Sequence, residues 1–525
     1  MQRPRPRGFV IMNGAESLIR TAIAAGVDTC FANPGTTEMP LVAALDDAPG
    51  IRAVLCLFEG VATGAADGYA RMAERPALTL LHLGPGFANG IANLHNGRRA
   101  RSPIVNLIGD HCTWHAHADA PLASDIVSLA APVSGWIRTV RNSSGLARAT
   151  AEAIAAASHA PGQIATLIIP SDCQWNPAEG EARPVESKPP SAVTPEAVRR
   201  VAIALKSASK PVLLLGAMGL RGRGLSAATR IAAKSGCHLI AETFPSRLER
   251  GAGMPAVERL PYFPEQALET LRPFDLIVLA GARRPVAFFG YPDLPSSLIP
   301  EGRRSEILSE PTEDTATGLE ALAAEIAAPV SVSLPRDAKK GERPIGALNP
   351  ASAGAALGAV LPEGAIVMDE AATSGGPFFP LSAGGPPHTY LSLTGGAIGQ
   401  GLPCATGAAV ASPDRRVIAF QADGSSMYTI QSLWTQARES LNVTTVLCNN
   451  RSYRILQVEL ARAGIKEPGP KARSLTDLGH PDLDFTSLAR GMGVPAVRVD
   501  RAENLVIELE RSFATAGPSL IELML

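Results

Sequence analysis

Short runs of leucine and β-branched residues alternate with longer alanine-rich stretches along almost the whole chain. The clearest apolar runs are residues 51–60, 77–84, 103–110, 163–170, 211–216, 275–281, 365–370, 416–424, 443–450 and 518–523. Their continuous apolar character predicts strands buried on both faces, as in parallel sheets covered by helices. Strands that alternate with helices over the full length predict an α/β chain of the doubly wound kind.

Two polar, proline-rich stretches interrupt this alternation, at residues 177–195 and 334–350. Such composition is typical of linkers between domains. The linkers separate segments of roughly 180, 140 and 180 residues, each large enough for its own core. We therefore predict three doubly wound α/β domains with parallel sheets, at residues 8–180, 191–332 and 345–525.

Composition and charge exclude several classes of protein. The 525 residues are 46% hydrophobic and 18% charged, which is typical of a globular chain. Because 48 Lys and Arg are balanced by 49 Asp and Glu, we expect neither nucleic acid nor a membrane surface as a partner. The seven cysteines contain no C-x-x-C pair, which argues against a disulfide framework or a structural zinc site. No apolar run is long enough to span a membrane, and residues 1–10 lack a secretory apolar region, so we expect a cytoplasmic protein.

The most informative segment contains an apolar strand that ends at Asp423, a helical stretch, and a second strand that ends at Asn450. This separation matches one strand–helix–strand crossover, which places both side chains at the carboxyl ends of parallel strands. A carboxylate and an amide oxygen suit Mg²⁺ that takes its other ligands from a diphosphate and water. Gly424 would let the backbone approach closely, while Ser425 and Ser426 could donate hydrogen bonds to phosphate. An isolated Asp-Gly or Asn-Asn pair would more often be a solvated turn. The prediction therefore depends on the whole pattern, in which both pairs end strands that a helix connects.

This composite resembles the motif of the thiamine diphosphate-dependent enzymes of the acetolactate synthase, pyruvate decarboxylase and benzoylformate decarboxylase superfamily, which is G-D-G, a spacer and N-N. Ala422 stands in place of the first glycine. The resemblance covers essentially the full length and implies thiamine diphosphate and Mg²⁺ as cofactors. It implies metal ligands from the side chains of Asp423 and Asn450 and from the main-chain carbonyl of Ser452. It also implies that the three domains are pyrimidine-binding, central and diphosphate-binding, in that order.

Three other segments are similar to the same family. The segment 59-EGVATGAADGYAR matches the family pattern around an acidic residue, and this implies that Glu59 protonates the cofactor's aminopyrimidine. The segment 395-GGAIGQGLP implies that Gly396 offers its carbonyl to the 4′-amino group and that Ile398 supports the bent cofactor. Thr373 and Ser374 fall where relatives contact the diphosphate. The simpler alternatives are a helix N-terminal charge for Glu59 and ordinary core packing for Ile398.

Several details are similar to benzoylformate decarboxylase in particular. The run 33-NPGTTEMP resembles that enzyme's N-P-G-S-x-E-L-P and places Thr36 at its substrate-binding serine. His82 falls where that enzyme has a catalytic histidine for proton transfer, although a histidine at a strand end can equally be a hydrogen-bonded structural residue.

Other details differ from benzoylformate decarboxylase. Its second active-site histidine aligns near Gly290, and Ile455 replaces a small alanine that faces the phenyl group. Ile455 and its neighbour Leu456 are candidate substrate contacts, and a bulky residue at 455 would favour a smaller acyl group. Four further aromatic residues are candidates either for apolar lining or for plain core: Phe288, Phe289, Phe378 and Phe379.

The remaining branches of the superfamily fit less well. Acetolactate synthases usually carry a glutamine in the loop that here contains His111, Cys112, His115 and His117, a cluster that we interpret as polar lining in preference to a metal site. The adjacent histidines of pyruvate decarboxylases are absent, and the central segment has no persuasive FAD fingerprint.

The resemblance implies decarboxylation of a small 2-oxo acid through an enamine that is released as an aldehyde, as in benzoylformate decarboxylase. The alternative is acetolactate synthase-type carboligation, in which the same intermediate attacks a second carbonyl. A non-catalytic paralogue is disfavoured because Glu59, Asp423 and Asn450 are all present. The resemblance also implies a homodimer or homotetramer with active sites at the subunit interface. Residues 461–484 have a composition that allows a mobile lid.

Overall fold

A computed structural model describes residues 12–339 and 341–525. The described chain forms two compact units. One contains the residues up to Lys188 together with Thr406–Ala411, and the other contains Pro189–Ala405 and Ser412–Leu525. The basic start of the chain and the first four residues of the predicted N-terminal domain lie outside the described residues.

The first unit is built on a six-stranded parallel sheet in the order β2-β1-β3-β4-β6-β5. Its strands are Thr29–Asn33 (β1), Arg52–Leu55 (β2), Ala77–His82 (β3), Ile104–Asp110 (β4), Trp136–Thr139 (β5) and Ile164–Pro170 (β6). Its helices are Gly14–Ala24 (α1), Met39–Asp46 (α2), Glu59–Ala73 (α3), Leu83–Ala100 (α4), Ile126–Ala130 (α5), Leu146–Ser158 (α6) and Ser171–Trp175 (α7).

The second unit contains two sheets. The smaller sheet has the order β10-β8-β7-β11-β12 and is wholly parallel. Its strands are Pro211–Leu215 (β7), His238–Ala241 (β8), Glu258–Arg259 (β10), Leu276–Ala280 (β11) and Arg304–Ser309 (β12). The helices in this part of the chain are Pro195–Ser207 (α8), Gly222–Ser235 (α9), Pro264–Leu271 (α10) and Thr315–Glu325 (α11).

The larger sheet has seven strands in the order β17-β18-β16-β15-β13-β14-β9. Its strands are Leu248–Arg250 (β9), Ile366–Asp369 (β13), His388–Ser392 (β14), Val417–Ala422 (β15), Val443–Asn449 (β16), Ala496–Val499 (β17) and Ser519–Met524 (β18). The helices in this part of the chain are Pro350–Val360 (α12), Phe378–Leu381 (α13), Gly401–Ala411 (α14), Asp423–Ser426 (α15), Ser432–Arg438 (α16), Arg454–Arg462 (α17), Pro470–Ser474 (α18), Phe485–Gly491 (α19) and Ala502–Ala514 (α20).

The predicted fold class is confirmed. Central strands such as β6 and β16 are buried along their whole length, because helices cover both faces of the parallel sheets. The stretches 178–190 and 341–346, within the predicted linkers, contain no helix or strand. None of the helices in the described residues is both long and apolar enough to cross a membrane.

One strand crosses the predicted division between the second and third domains. β9 lies within the segment predicted as the central domain, yet it pairs antiparallel with β14 at the edge of the larger sheet. A strand of three residues carries too little pattern to be assigned to a sheet from sequence, and here it covers an edge that would otherwise expose unpaired backbone groups.

Candidate active site

The first unit brings Glu59 and His82 close together. Glu59 begins α3 and is 9% exposed, and the side chain of Asn89 donates a hydrogen bond of 3.0 Å to its Oε2. His82 is the last residue of β3. Gly86 contacts both residues: a methyl group placed on it would lie 2.9 Å from Oε1 of Glu59 and 3.3 Å from Cβ of His82. The two residues predicted to be catalytic therefore line one region at the carboxyl edge of the sheet.

The imidazole of His82 is held by a buried carboxylate. Nδ1 of His82 lies 2.9 Å from Oε2 of Glu38, which is fully buried, and 3.1 Å from Oγ1 of Thr37. Thr37 donates its hydroxyl hydrogen to Oε1 of Glu38, so both acceptors around Nδ1 are consistent with a proton on that nitrogen. The arrangement leaves Nε2 as the nitrogen that can accept or release a proton.

Close packing around His82 explains two local features of the sequence. A methyl group on Gly35 would overlap the imidazole ring, so only glycine fits there. Leu83, which directly follows His82, has a φ of 52°, a value that costs energy for a residue with a side chain. Thr36 lies in the same turn and is exposed, whereas the hydroxyl that contacts His82 belongs to its neighbour Thr37.

The second unit brings Asp423 and Asn450 together at the ends of the paired strands β15 and β16. Oδ2 of Asp423 accepts hydrogen bonds from the backbone N–H groups of Asn450, at 3.0 Å, and Ser452, at 3.4 Å. The amide oxygen of Asn450 accepts from the Ser452 backbone at 3.0 Å. Arg451, between them, has a φ of 55°, and this left-handed turn allows both neighbours to reach the same carboxylate.

The donor set at this turn fits Mg²⁺. Asp423 is 2% exposed, and burial raises the pKa of its carboxyl group. Its hydrogen-bond donors are neutral backbone groups, and none of the ion pairs among residues 12–339 and 341–525 includes it. A buried carboxylate beside an amide oxygen gains from a cation that completes its coordination with phosphate and water.

The hydroxyl groups beside Asp423 make local hydrogen bonds. Ser425 donates to the carbonyl of Ala422, at 3.2 Å, and the fully buried Ser426 donates to the carbonyl of Asp423, at 2.7 Å. The ring of Tyr453 lies against Gly424, where a methyl group would overlap it.

The other two hydroxyl candidates lie in the turn that follows β13. Thr373 is exposed and Ser374 is buried.

Gly396 and Ile398 lie in the loop before α14. Gly396 has a φ of 78°, and a methyl group on it would overlap the ring of Phe288. Ile398 is partly exposed. The four aromatic candidates differ in exposure. Phe378 and Phe379 are buried core residues, whereas Phe288 and Phe289 are 40% and 52% exposed.

Helix α17 carries Ile455 and Leu456 and has no buried residue of its own. It is held against the segment that contains Phe288 by polar contacts near its C-terminal end. Tyr291 donates a hydrogen bond of 3.0 Å to Glu459, and Arg462 forms an ion pair with Glu265 and stacks over the ring of Tyr291.

The histidine and cysteine cluster after β4 contains two histidines whose rings pack against each other. The rings of His111 and His115 lie 5.7 Å apart, edge to face. Within residues 12–339 and 341–525 no group of three or more His, Cys, Asp or Glu side chains could hold a metal ion.

Comparison with known families identifies the protein family to which the residues around Glu59 and those around Asp423 belong. The N-terminal TPP-binding domain of the thiamine pyrophosphate enzymes matches residues 12–129, and their C-terminal TPP-binding domain matches residues 377–523. The chain is a thiamine diphosphate-dependent enzyme. The family uses thiamine diphosphate with Mg²⁺, so the predicted cofactors are confirmed.

Relatives place this thiamine diphosphate-dependent enzyme in the acetolactate synthase and benzoylformate decarboxylase family. The chain is 52% identical to a Mycobacterium tuberculosis protein named "Putative acetolactate synthase large subunit IlvX", over 98% of this chain and 99% of that one. It is 30% identical to the benzoylformate decarboxylase of Pseudomonas aeruginosa, over 95% and 96%. The structure of a 4-hydroxybenzoylformate decarboxylase from Rhodococcus jostii matches with a TM-score of 0.85 at 27% identity, over 98% and 99%. Members of this family act on 2-oxo acids and are generally oligomeric.

Several contacts of this enzyme were not predicted from sequence. Glu38 and Asn89, which hold His82 and Glu59, lie within or near segments that resemble the family, but nothing in the pattern assigned them a role. Glu38 occupies the acidic position of the run 33-NPGTTEMP, and this was the one signal that could have identified it. The contact of Phe288 with Gly396 joins segments more than a hundred residues apart and has no sequence signal.

Proposed function

We propose that this enzyme decarboxylates a small 2-oxo acid and releases the product as an aldehyde, as benzoylformate decarboxylase does. The observation that carries the proposal is the pairing of His82 with Glu38 beside Glu59. A histidine with one nitrogen fixed by a carboxylate can pass a proton through the other nitrogen. Protonation of the reacting carbon is the step that separates aldehyde release from ligation.

The cofactor is proposed to bind through residues at the carboxyl edge of the larger sheet. When bound, thiamine diphosphate supplies the nucleophilic thiazolium carbon and the electron sink for loss of CO₂. The side chains of Asp423 and Asn450 and the carbonyl of Ser452 hold Mg²⁺. The proposed diphosphate contacts are Gly424, Ser425, Ser426, Thr373 and Ser374. The carbonyl of Gly396 would accept a hydrogen bond from the cofactor's amino group, and Ile398 would pack against the cofactor.

Two side chains of the first unit carry the proton transfers in this proposal. Glu59 exchanges a proton with the pyrimidine ring of the cofactor, and the hydrogen bond from Asn89 holds its carboxylate in place. His82 delivers a proton to the substrate carbon after CO₂ has left. Buried Glu38 stabilises the charged imidazole that must form in this exchange.

The substrate is proposed to carry an apolar group beside its keto carbon. Phe288 is partly exposed and lies against Gly396, so an apolar surface borders the proposed cofactor loop. Ile455 and Leu456 on α17 would add aliphatic contacts and limit the size of the acyl group. Thr36 is the candidate for a hydrogen bond to the substrate carboxylate.

The active unit is proposed to be a homodimer or a homotetramer. In this arrangement Glu59 and His82 of one subunit act on a cofactor whose diphosphate is held by the partner subunit. Full activity in a species that sedimentation shows to be monomeric would contradict the arrangement.

Carboligation of the acetolactate synthase type is the second candidate. The Mycobacterium tuberculosis relative carries that name at 52% identity, and Ile455 would favour a small acyl donor. In that case the acyl group would be joined to a second carbonyl compound, and His82 would not deliver a proton to it.

Product analysis by NMR distinguishes the two reactions. The enzyme with thiamine diphosphate and Mg²⁺ is given benzoylformate or pyruvate, each with and without an added aldehyde. We expect free aldehyde as the main product, and we expect His82→Gln to slow aldehyde release more than CO₂ release. Acetolactate or acetoin from pyruvate as the main product would overturn the decarboxylase proposal and favour carboligation. Exposed Gln266→Glu serves as a control that should leave the product ratio unchanged.

A further inference from the structure

A buried carboxylate that the proposed mechanism does not use lies at the carboxyl end of β13. Glu370 directly follows this strand and is 2% exposed. Its Oε1 accepts from the backbone N–H groups of Gly399, at 2.7 Å, and Gln400, at 3.2 Å. Its Oε2 accepts from the backbone of Gly401, at 2.6 Å, and from the side-chain amide of Gln421, at 2.9 Å. Four donors therefore converge on one carboxylate.

Three of these donors are consecutive residues, the last two before α14 and its first residue, Gly401. The first N–H groups of a helix lack partners within the helix, and the residue before α14, Gln400, provides no side-chain cap. Glu370 supplies acceptors from about 30 positions away in sequence. Gly401 is needed for this contact, because a methyl group there would collide with the side chains of both Glu370 and Gln421.

The same carboxylate reaches the strand that leads to the proposed metal site. Gln421 lies on β15, and its side-chain amide nitrogen also donates to Oγ of Ser425, at 3.2 Å. Its two N–H groups are thus shared between Glu370 and the turn that follows Asp423. One hydrogen-bonded chain joins the loop of Gly396 and Ile398 to the turn of α15.

We propose that Glu370 is a positioning residue that holds the loop 395–401 and the turn 423–426 at the separation needed by the cofactor. The proposal rests on the cofactor residues given under the proposed function. Without the carboxylate, the pyrimidine-side loop and the diphosphate-side turn lose their common partner. Burial raises the pKa of the Glu370 carboxyl group to about 7, although its hydrogen-bond donors act in the opposite direction.

Glu370→Gln tests the proposal, because it retains the size of the side chain and places an amide against backbone N–H groups. Thiamine diphosphate with Mg²⁺ is titrated calorimetrically into the cofactor-free protein, in the absence of substrate. We expect affinity for the cofactor to fall about 10–100-fold, the range typical of residues that orient direct ligands. At saturating cofactor we expect the KM for the 2-oxo acid to stay close to that of the wild type.

Asn349→Ala is the matched control. Asn349 caps α12 in the same unit by accepting from the backbone of Ala351 and Ser352, so its loss removes a helix cap outside the loop 395–401 and the turn 423–426. This variant should lower the unfolding midpoint and leave cofactor affinity unchanged. If Glu370→Gln behaves in the same way, Glu370 is only a helix cap and the proposal is overturned.

Gln421→Met covers the case in which Glu370→Gln does not fold. It breaks the connection to Ser425 and leaves the three backbone donors on Glu370. We expect a smaller loss of cofactor affinity, and wild-type affinity would overturn the proposal. Asp423→Asn, titrated in parallel, separates the two claims: an unaffected Asp423 variant would refute the proposed metal site, whereas an unaffected Glu370 variant alone would refute only the positioning role.

Discussion

The carboxylate of Glu38 lies 2.9 Å from Nδ1 of His82, although 44 positions separate the two residues in sequence. The side chain of Glu38 is fully buried, and the side chain of His82 is 23% exposed. A histidine whose Nδ1 is held by a carboxylate is suited to proton transfer through Nε2, because its tautomer does not need to change when substrate binds.

We expect Glu38→Gln to lower kcat about 10–100-fold, by analogy with the loss of a hydrogen-bond partner that orients a metal-binding histidine. Glutamine can still accept from Nδ1, but it does not stabilise a charged imidazole. Steady-state kinetics of aldehyde release measures the effect. Asp46→Asn, at the exposed end of the following helix α2, should retain wild-type kinetics. Wild-type turnover in Glu38→Gln would exclude a role of this pair in catalysis.

Glu59→Gln should bind cofactor with nearly unchanged affinity and lose about 10²–10⁴-fold in turnover. The amide retains the size of the side chain but cannot exchange a proton with the pyrimidine. Hydrogen–deuterium exchange at C2 of the bound cofactor, followed by NMR, reports this step without substrate. Exposed Glu196→Gln is the control. Exchange at the wild-type rate in Glu59→Gln would refute the assignment.

Asp423→Asn should remove the dependence of thiamine diphosphate binding on Mg²⁺. The amide retains one oxygen but not the charge that compensates a buried divalent cation. Calorimetric titration with and without Mg²⁺ measures the difference, and chelation of Mg²⁺ from the wild type should reproduce the variant. The control is Asp414→Asn, an exposed carboxylate in the loop before β15. Undiminished Mg²⁺ dependence would show that the cation binds elsewhere.

The stability of the cofactor-free protein should depend on the titration of His388. Burial lowers the pKa of this histidine to about 4 from 6.5, and its Nδ1 donates to the carbonyl of Pro386. Because the folded-state pKa is depressed, the stabilising contribution is complete above pH 6.5 and is lost as the pH falls towards 4. The shift corresponds to a contribution on the order of 3 kcal/mol.

His388→Asn tests this dependence, because asparagine can donate to Pro386 but does not titrate. The charged groups that act on His388 are Arg250, Glu249 and Arg415, and they are the same in both proteins. Urea unfolding across this pH range should therefore give a smaller pH dependence for the variant. If the free energy of unfolding changed with pH to the same extent in His388→Asn and in the wild type, the assignment to His388 would be refuted.

Much of the architecture follows from the sequence pattern. Strands such as β6 and β16 consist of unbroken apolar residues, so their burial in parallel sheets could be predicted. Short strands such as β9 and β10 could not, because two or three residues carry no periodicity. The roles given to Glu59, His82, Asp423 and Asn450 follow from motif and spacing, and they stay predictions until the variants are measured.

The fold class, the family and the strand ends that carry polar side chains could be inferred from the sequence, because each depends on the order of residues along the chain. The partners that those side chains contact could be identified only in the folded chain. Three such contacts join segments that are distant in sequence: Glu38 with His82, Phe288 with Gly396, and Glu370 with the first residue of α14. Such contacts depend on how strands pair and helices pack, and a single sequence does not encode them in any local pattern.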